Sequence, residues 1–149
     1  MHRQQSGRDH AHALHADPRP MNSAGPQTPQ EAHVAALEEG RLTFQRCSDC
    51  GHAWLPARHE CPACWSTNHD RQEASGRATV VSWVVFHVAF DPRFKDRVPY
   101  NVALVDLDEG PRMTTNIIEI PEGEDIVGRR VALCFQEDMG RKLPRFELT

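Results

Sequence analysis

The sequence has no long apolar run. Nothing in it approaches the roughly 20 apolar residues that a helix needs to span a bilayer, and its first residues hold no apolar h-region of a secretory signal. Positive charge is not in excess either: 17 Lys and Arg stand against 21 Asp and Glu, a formal net charge of -4. Binding to phosphate backbones needs the opposite balance, which disfavours a general nucleic-acid binder. No Ser/His/Asp set, paired-carboxylate motif or phosphate loop is present. Asp106, Asp108 and Glu109 cluster, but at a strand end beside a turn, where solvated charge is ordinary. No internal repeat recurs at a fixed period. These absences predict a cytoplasmic, non-catalytic chain. In that compartment thiols stay reduced, and paired cysteines more often bind metal than form disulfides.

Cysteine is what the sequence does have. Four of its five cysteines form two C-x-x-C pairs, Cys47-Ser-Asp-Cys50-Gly51 and Cys61-Pro62-Ala63-Cys64. Each pair predicts a tight knuckle with both sulfurs facing one point. Gly51 permits the backbone angles that such a turn needs, and Pro62 fixes one angle of the second knuckle. Four thiolates around Zn²⁺ make a closed structural site with no open position for a reacting water. Metal binding would supply folding free energy that so small a module lacks from its own core. A rubredoxin-type iron uses the same four thiolates, and the ligands alone do not separate the two. A ribbon that folds without metal is a further reading. A thioredoxin-like redox pair would need a single C-x-x-C in a βαβ context, and neither is present. His52 and His59 lie inside the module and read as surface residues, because four cysteines already complete the shell. Cys134, in the apolar strand Val131–Phe135, reads as a small core residue.

Along the chain, residues 1 to 28 are rich in Gly, Pro, Gln and Ser and poor in large apolar side chains, so a disordered tail is expected there; it includes His2, His10, His12 and His15. Residues 29–40 read as a docking helix. Thr28 caps it, Pro29 opens it, Glu31 completes a capping box, Val34 and Leu37 form its apolar stripe, and Gly40 stops it. A helix this short must dock on something, either this chain or a partner. Residues 41–70 read as the zinc ribbon, with a strand at Leu42–Arg46. Ser66 to Ser75 is polar and reads as a linker. Residues 71–149 read as a barrel domain: strands at Arg77–Val88, Tyr100–Leu107, Arg112–Ile120, Arg129–Gln136 and Lys142–Leu148, with a loop at Ala89–Pro99 and a connector with one helical turn at Pro121–Gly128. Five strands, the first long, suit an OB-fold, and closure hides strand edges. The expected class is mainly β: one short helix, a rubredoxin-like zinc ribbon and a five-stranded OB barrel.

The order of these motifs resembles the DUF35 family. The residues that carry the likeness are Gly40-Arg41-Leu42, Gln45-Arg46-Cys47-Ser48-Asp49-Cys50-Gly51, Pro56, Cys61-Pro62-Ala63-Cys64, Ser75-Gly76-Arg77-Ala78-Thr79-Val80, Pro99-Tyr100 and Val105-Asp106-Leu107-Asp108-Glu109-Gly110. It covers about residues 30 to 149. The resemblance implies one structural Zn²⁺ and a non-catalytic subunit of an acyl-CoA-processing complex. The implied partner is a thiolase-superfamily enzyme, such as a thiolase, a lipid-transfer-type aldolase of steroid side chains or an acyltransferase, with a hotdog-fold enoyl-CoA hydratase as a second. It implies that the subunit holds its partner active and lines the CoA passage, so that CoA thioester is met indirectly within a hetero-oligomer. Two positions depart from the family pattern. Ala32, His33 and Val34 replace an aromatic pair at the helix start. Trp65 replaces a small polar residue or Gly after the second C-P-x-C, and is expected to pack on the barrel or touch a partner.

Candidate contacts to CoA or a partner are Arg77, Phe90, Arg93, Phe94, Lys95, Arg97, Tyr100 and Trp65. Two other functions compete with the accessory role. One is single-strand nucleic-acid binding, with Trp83, Phe86, Phe90, Phe94 and Tyr100 as stacking rings and Arg93, Lys95, Arg97, Arg129 and Arg130 as cations. The other is a stand-alone acyl-CoA binder, with Arg93, Lys95, Arg97 and Arg77 meeting phosphates.

Overall fold

The chain is described by a computed structural model over residues 27–149. The expected tail and its four histidines therefore lie outside the described residues, apart from the two positions before the helix. Helix α1 spans Pro29–Glu38 and starts as the sequence predicts. The Thr28 hydroxyl accepts from the Glu31 N–H, and the Glu31 carboxylate accepts from the Thr28 N–H. Gly40 follows at φ +76°, where a glycine ends a helix without strain. The buried face differs from the expected stripe. Pro29, Ala32, Ala36 and Leu37 are buried, while Val34 is 48% exposed. Alanines let the helix lie close to strands of this chain, which a search for large apolar residues overlooks. The helix thus docks on its own chain, against the first and last strands.

Three short strands form the ribbon sheet: β1 Thr43–Cys47, β2 Ala53–Trp54 and β3 His69–Glu73, in the order β2-β1-β3. Half of the linker expected over Ser66–Ser75 is thus a strand, paired antiparallel with β1 from Thr43↔Glu73 to Cys47↔His69. Its run His-Asp-Arg-Gln-Glu carries no apolar alternation because it is an exposed edge strand. Its ladder is held by main-chain groups, which a side-chain pattern cannot reveal.

The second sheet holds β4 Arg77–Phe86, β5 Tyr100–Leu107, β6 Arg112–Thr115, β7 Ile117–Ile118, β8 Arg130–Asp138 and β9 Arg141–Leu148. Their order is β6-β5-β4-β8-β9-β7. The expected third strand, Arg112–Ile120, is split at Asn116. Its first part pairs antiparallel with β5 and its second part pairs parallel with β9. The two ends of the ladder are therefore neighbouring segments of chain, and covalent continuity rather than an unbroken ladder brings the barrel round. Asn101 and Asn116 secure this corner: the Asn101 side chain donates to Ile117 O at 2.7 Å and accepts from Ile117 N at 2.8 Å, and the Asn116 amide donates to Asn101 O. The 89–99 loop contains a short 3-10 turn, Pro92–Phe94. The connector before β8 makes turns and no helix.

Inward positions of β5 alternate as a half-buried strand requires, with Ala103, Val105 and Leu107 buried. They join Ala78, Val80, Ile117, Ile126, Val131 and Phe146 in one core. Leu37, Leu42 and Phe44 belong to that same core, so helix, ribbon and barrel share it. Gly76 sits at the junction at φ +85°, where a Cβ would come within 3.0 Å of the Leu133 Cβ. No helix among the described residues is long and apolar enough to cross a membrane.

Candidate metal centre and barrel cleft

The two cysteine pairs fold into matching knuckles. Cys47 N donates to His52 O and Cys61 N to Ser66 O, each at 2.8 Å; Gly51 N donates to Cys47 O at 3.0 Å and Trp65 N to Cys61 O at 2.8 Å. The residue after the second cysteine is left-handed in both, Gly51 at φ +77° and Trp65 at φ +65°. Trp65 therefore occupies a glycine position, at a backbone cost on the order of 1–2 kcal/mol. It does not pack on the barrel: it is 78% exposed. The Asp49 carboxylate accepts from the Ser66 hydroxyl and, at 3.3 Å, from the Asn68 amide, tying one knuckle to the other.

The sulfurs of Cys47, Cys50, Cys61 and Cys64 all lie within 4.8 Å of one another, with Cys47–Cys64 and Cys50–Cys61 at 3.6 Å. A tetrahedral Zn²⁺ with bonds near 2.3 Å would set its sulfurs ~3.8 Å apart, so the four fit one ion. Cys47 and Cys61 are buried, while Cys50 and Cys64 lie on the exposed turns. Backbone N–H groups point at the buried sulfurs, Cys50 N to Cys47 Sγ at 3.5 Å and Ala63 N to Cys61 Sγ at 3.4 Å. The Cys50 N–H is the main reason the Cys47 thiol falls to about 7. At Cys64 the Ser66 N–H favours the thiolate, but burial and the three neighbouring thiols together outweigh it and push the thiol up to about 12. Four sulfurs this close cannot all ionise without a cation between them. Trp54, stacked with His52 and edge-on to His69, backs the site and is buried with Cys47 and Cys61. Gln45, opposite it on β1, is buried and pairs with the Arg58 backbone in both directions at 2.8 Å, which fixes the loop between the knuckles.

Arg46, next to the first ligand, ties the ribbon to the barrel. It donates to Gly51 O at 3.1 Å, to the Gln72 side chain at 3.2 Å and to Glu109 O at 3.3 Å. The Glu109 carboxylate in turn accepts from Ser75 N at 2.6 Å. By its place in the sequence alone, Glu109 reads as solvated charge. Its Oε2 is buried without a partner among the described residues, and the group belongs to the joint between ribbon and barrel.

The candidate contact residues do not all meet. Phe94, Arg97 and Tyr100 line one barrel cleft together with Arg145, which sequence reasoning missed because nothing in the alternation of β9 marks it. Arg93 stands over the Phe94 ring and pairs with Asp91 at 2.6 Å. Phe90 is 85% exposed on the loop and Lys95 is exposed beside it. Arg77 lies at the far end of β4, ~30 Å along the strand from Phe86. Trp65 is on the ribbon. The proposed nucleic-acid cations are mostly neutralised: Arg93, Arg97, Arg129 and Arg130 each pair with a carboxylate within 3.2 Å.

Comparison with known proteins places this architecture. Residues 34–70 match the domain family described as the ChsH2 rubredoxin-like zinc ribbon, and residues 71–136 match the ChsH2 C-terminal OB-fold domain. The fold and the cysteine cluster thus define a zinc-ribbon–OB-fold protein with one structural zinc. A DUF35 domain-containing scaffold protein of Methanothermobacter thermautotrophicus is 33% identical over 97 residues, 64% of this chain and 72% of that protein. A solved structure described as the Ltp2-ChsH2(DUF35) aldolase superposes with a TM-score of 0.71 at 34% identity, over 85% of this chain and 98% of that one. The chain belongs to the DUF35 family. A probable enoyl-CoA hydratase alpha subunit of Thermomonospora curvata is 38% identical over 112 residues, and there the chain spans only 34% of the relative's length.

Proposed function

We propose that this chain is a cytoplasmic accessory subunit that binds and activates a thiolase-superfamily enzyme acting on CoA thioesters, with the catalytic groups on the partner. The carrying observation is the likeness, at 34% identity over 98% of that chain, to the DUF35 component of an aldolase assembly. The metal chemistry agrees with it. Cys47, Cys50, Cys61 and Cys64 make a closed ligand set, which staples the ribbon and leaves no coordination position for a substrate. The likeness to a probable enoyl-CoA hydratase alpha subunit supports a hydratase as a second partner. Trp65 and Phe90, large and exposed, are the residues we assign to partner contact, since exposed aromatics anchor interfaces.

Co-expression with a thiolase-like protein encoded nearby tests the reading. The two are expected to co-elute as a hetero-oligomer, and the thiolase to lose activity when this chain is withdrawn. Separate elution with a fully active lone thiolase would refute it.

A further inference from the structure

Each of the two sheets ends in a strand with a free edge, β2 in the ribbon and β6 in the barrel. The alternation of main-chain bonds shows which groups are free. Leu107 N donates to Pro111 O at 2.9 Å, so the bonded pairs of the β5–β6 ladder are Val105–Met113 and Ala103–Thr115. Arg112 and Thr114 therefore turn their N–H and C=O groups away from β5. In the ribbon, Cys47 N donates to His52 O at 2.8 Å, so Gln45 and Trp54 form the next bonded pair. Ala53 then turns its own N–H and C=O away from β1. Nothing else among the described residues bonds these main-chain groups.

The two edges face each other. Adjoining cavities of about 460 and 320 Å³ lie between them and share Leu55 and Arg112. Successive strand residues point to opposite faces, so a cavity that touches three in a row runs along an edge. The larger cavity touches His52 to Leu55 on the ribbon side and Gly110 to Arg112 on the barrel side. The smaller touches Arg112 to Thr114, across from Leu55 and Pro56. An extended segment laid in this groove meets unpaired donors and acceptors on both sides, the condition for adding a strand. The groove also has a sign. Arg112 is held by Asp106 at 2.7 Å. Arg58 has its main chain fixed by Gln45, while its guanidinium has no carboxylate partner among the described residues. One net positive charge thus lines the groove of a chain whose formal net charge is -4. The chain's own first residues complement it poorly, because Arg3, Arg8 and Arg19 outnumber Asp9 and Asp17 there. We infer that the groove takes an extended acidic segment of a partner protein as an added strand between β2 and β6, with an acidic side chain on Arg58. That this partner is the enzyme the chain serves rests on the scaffold reading; the groove itself does not.

The test is titration of the full, zinc-loaded chain with a blocked peptide of alternating Val and Glu, long enough to span β6, read by amide chemical shifts and calorimetry. Saturable binding below about 1 mM is expected, with shifts at Ala53, Arg112 and Thr114. A Val-Lys peptide of equal length is expected to bind at least about tenfold more weakly. The Val-Glu peptide methylated on its main-chain nitrogens is expected to lose about as much, since it cannot donate to either edge. Thr114→Pro removes a donor that faces the groove and leaves the bonds to β5, so it is expected to weaken the peptide about tenfold with zinc retained. Thr114→Val keeps the N–H and is expected to bind as the wild type does. Arg58→Glu, at an exposed position, is expected to weaken the Val-Glu peptide and to strengthen the Val-Lys one. The inference is overturned if the Val-Glu peptide at about 1 mM does not bind, if the methylated peptide binds as tightly, or if Arg58→Glu changes the affinity of neither peptide. Dimers of this chain that the peptide dissociates would give the groove to a second copy and overturn the assignment to a partner. Co-elution with the thiolase is a separate measurement, so this inference and the scaffold reading can fail independently.

Discussion

At the scale of single residues, Trp65 and Gly51 make a natural pair. They hold the same place in the two knuckles and the same left-handed backbone, yet only one of them lacks a Cβ. Trp65→Gly is expected to stabilise the metal-loaded protein by about 1 kcal/mol, because the strain goes and little packing is lost. Gly51→Ala is expected to cost about the same amount. Thermal denaturation of the two variants checks both signs. The Trp65 variant is also expected to weaken partner binding. A residue kept at a strained, exposed position against its own backbone preference points to a use outside the chain.

The carboxylates give a pH dependence. The side-chain hydrogen bonds of Arg112, Arg130 and Arg97 hold Asp106, Asp108 and Asp138, respectively, below the usual carboxylate range. A depressed folded pKa means that the unfolded chain takes up protons first. The contribution is then complete above the unfolded value, about 3.9, and is lost as pH falls through the lower folded values. Melting temperatures at fixed salt are expected to hold from pH 7 to about 5 and to fall below about 4. These ion pairs are largely exposed, so raising salt should blunt the effect. A melting temperature unchanged at pH 3 would contradict it.

At the scale of elements, α1 and β3 show two ways in which a sequence can be read. The helix was legible because Thr28, Pro29, Glu31 and Gly40 act locally, each satisfying or excluding a backbone group of its own turn. Thr28→Ala should cost about 1 kcal/mol of helix stability, visible as faster amide exchange over residues 29–38. Unchanged exchange there would show that docking alone holds the helix. The edge strand β3 was illegible because its order comes from β1 beside it and not from its own side chains. The split of the third barrel strand was hidden for a related reason. Ile117 and Ile118 continue an apolar strand pattern, and only the arrival of β9 decides that they change partners at Asn116.

At the scale of the molecule, the ribbon is not a separate bead. Leu42 and Phe44 of the ribbon side pack with Ala78, Val131 and Phe146 of the barrel, and Arg46 joins the first knuckle to the β5–β6 turn. Metal loss is therefore expected to reach the barrel. Cys61→Ser, or chelation of the wild type, should abolish stoichiometric zinc and lower the melting temperature of the whole chain. Amide protection of the β8–β9 ladder is expected to fall with it. A barrel that melts at an unchanged temperature after chelation would show two independent units. Phe146, fully buried at the centre of the shared core, gives the matching control: Phe146→Ala should cost about 3–5 kcal/mol and weaken zinc retention through the same core.

What the sequence determined by itself was whatever depends on spacing along the chain. The interval between cysteines within each pair makes a knuckle, Gly51 permits its turn, and the caps of α1 and the alternation of β5 follow from the same local rules. The metal centre was readable for that reason: two knuckles need only a loop to bring four sulfurs together. Tertiary structure alone decided the rest. It set Arg145 beside Arg97 and Asp138, made Glu109 part of the joint between ribbon and barrel, and gathered Phe94 and Tyr100 into one wall while leaving Arg77 at the far end of β4. These residues meet across strands far apart in sequence, and their burial and charge balance exist only once the ladders between those strands have formed.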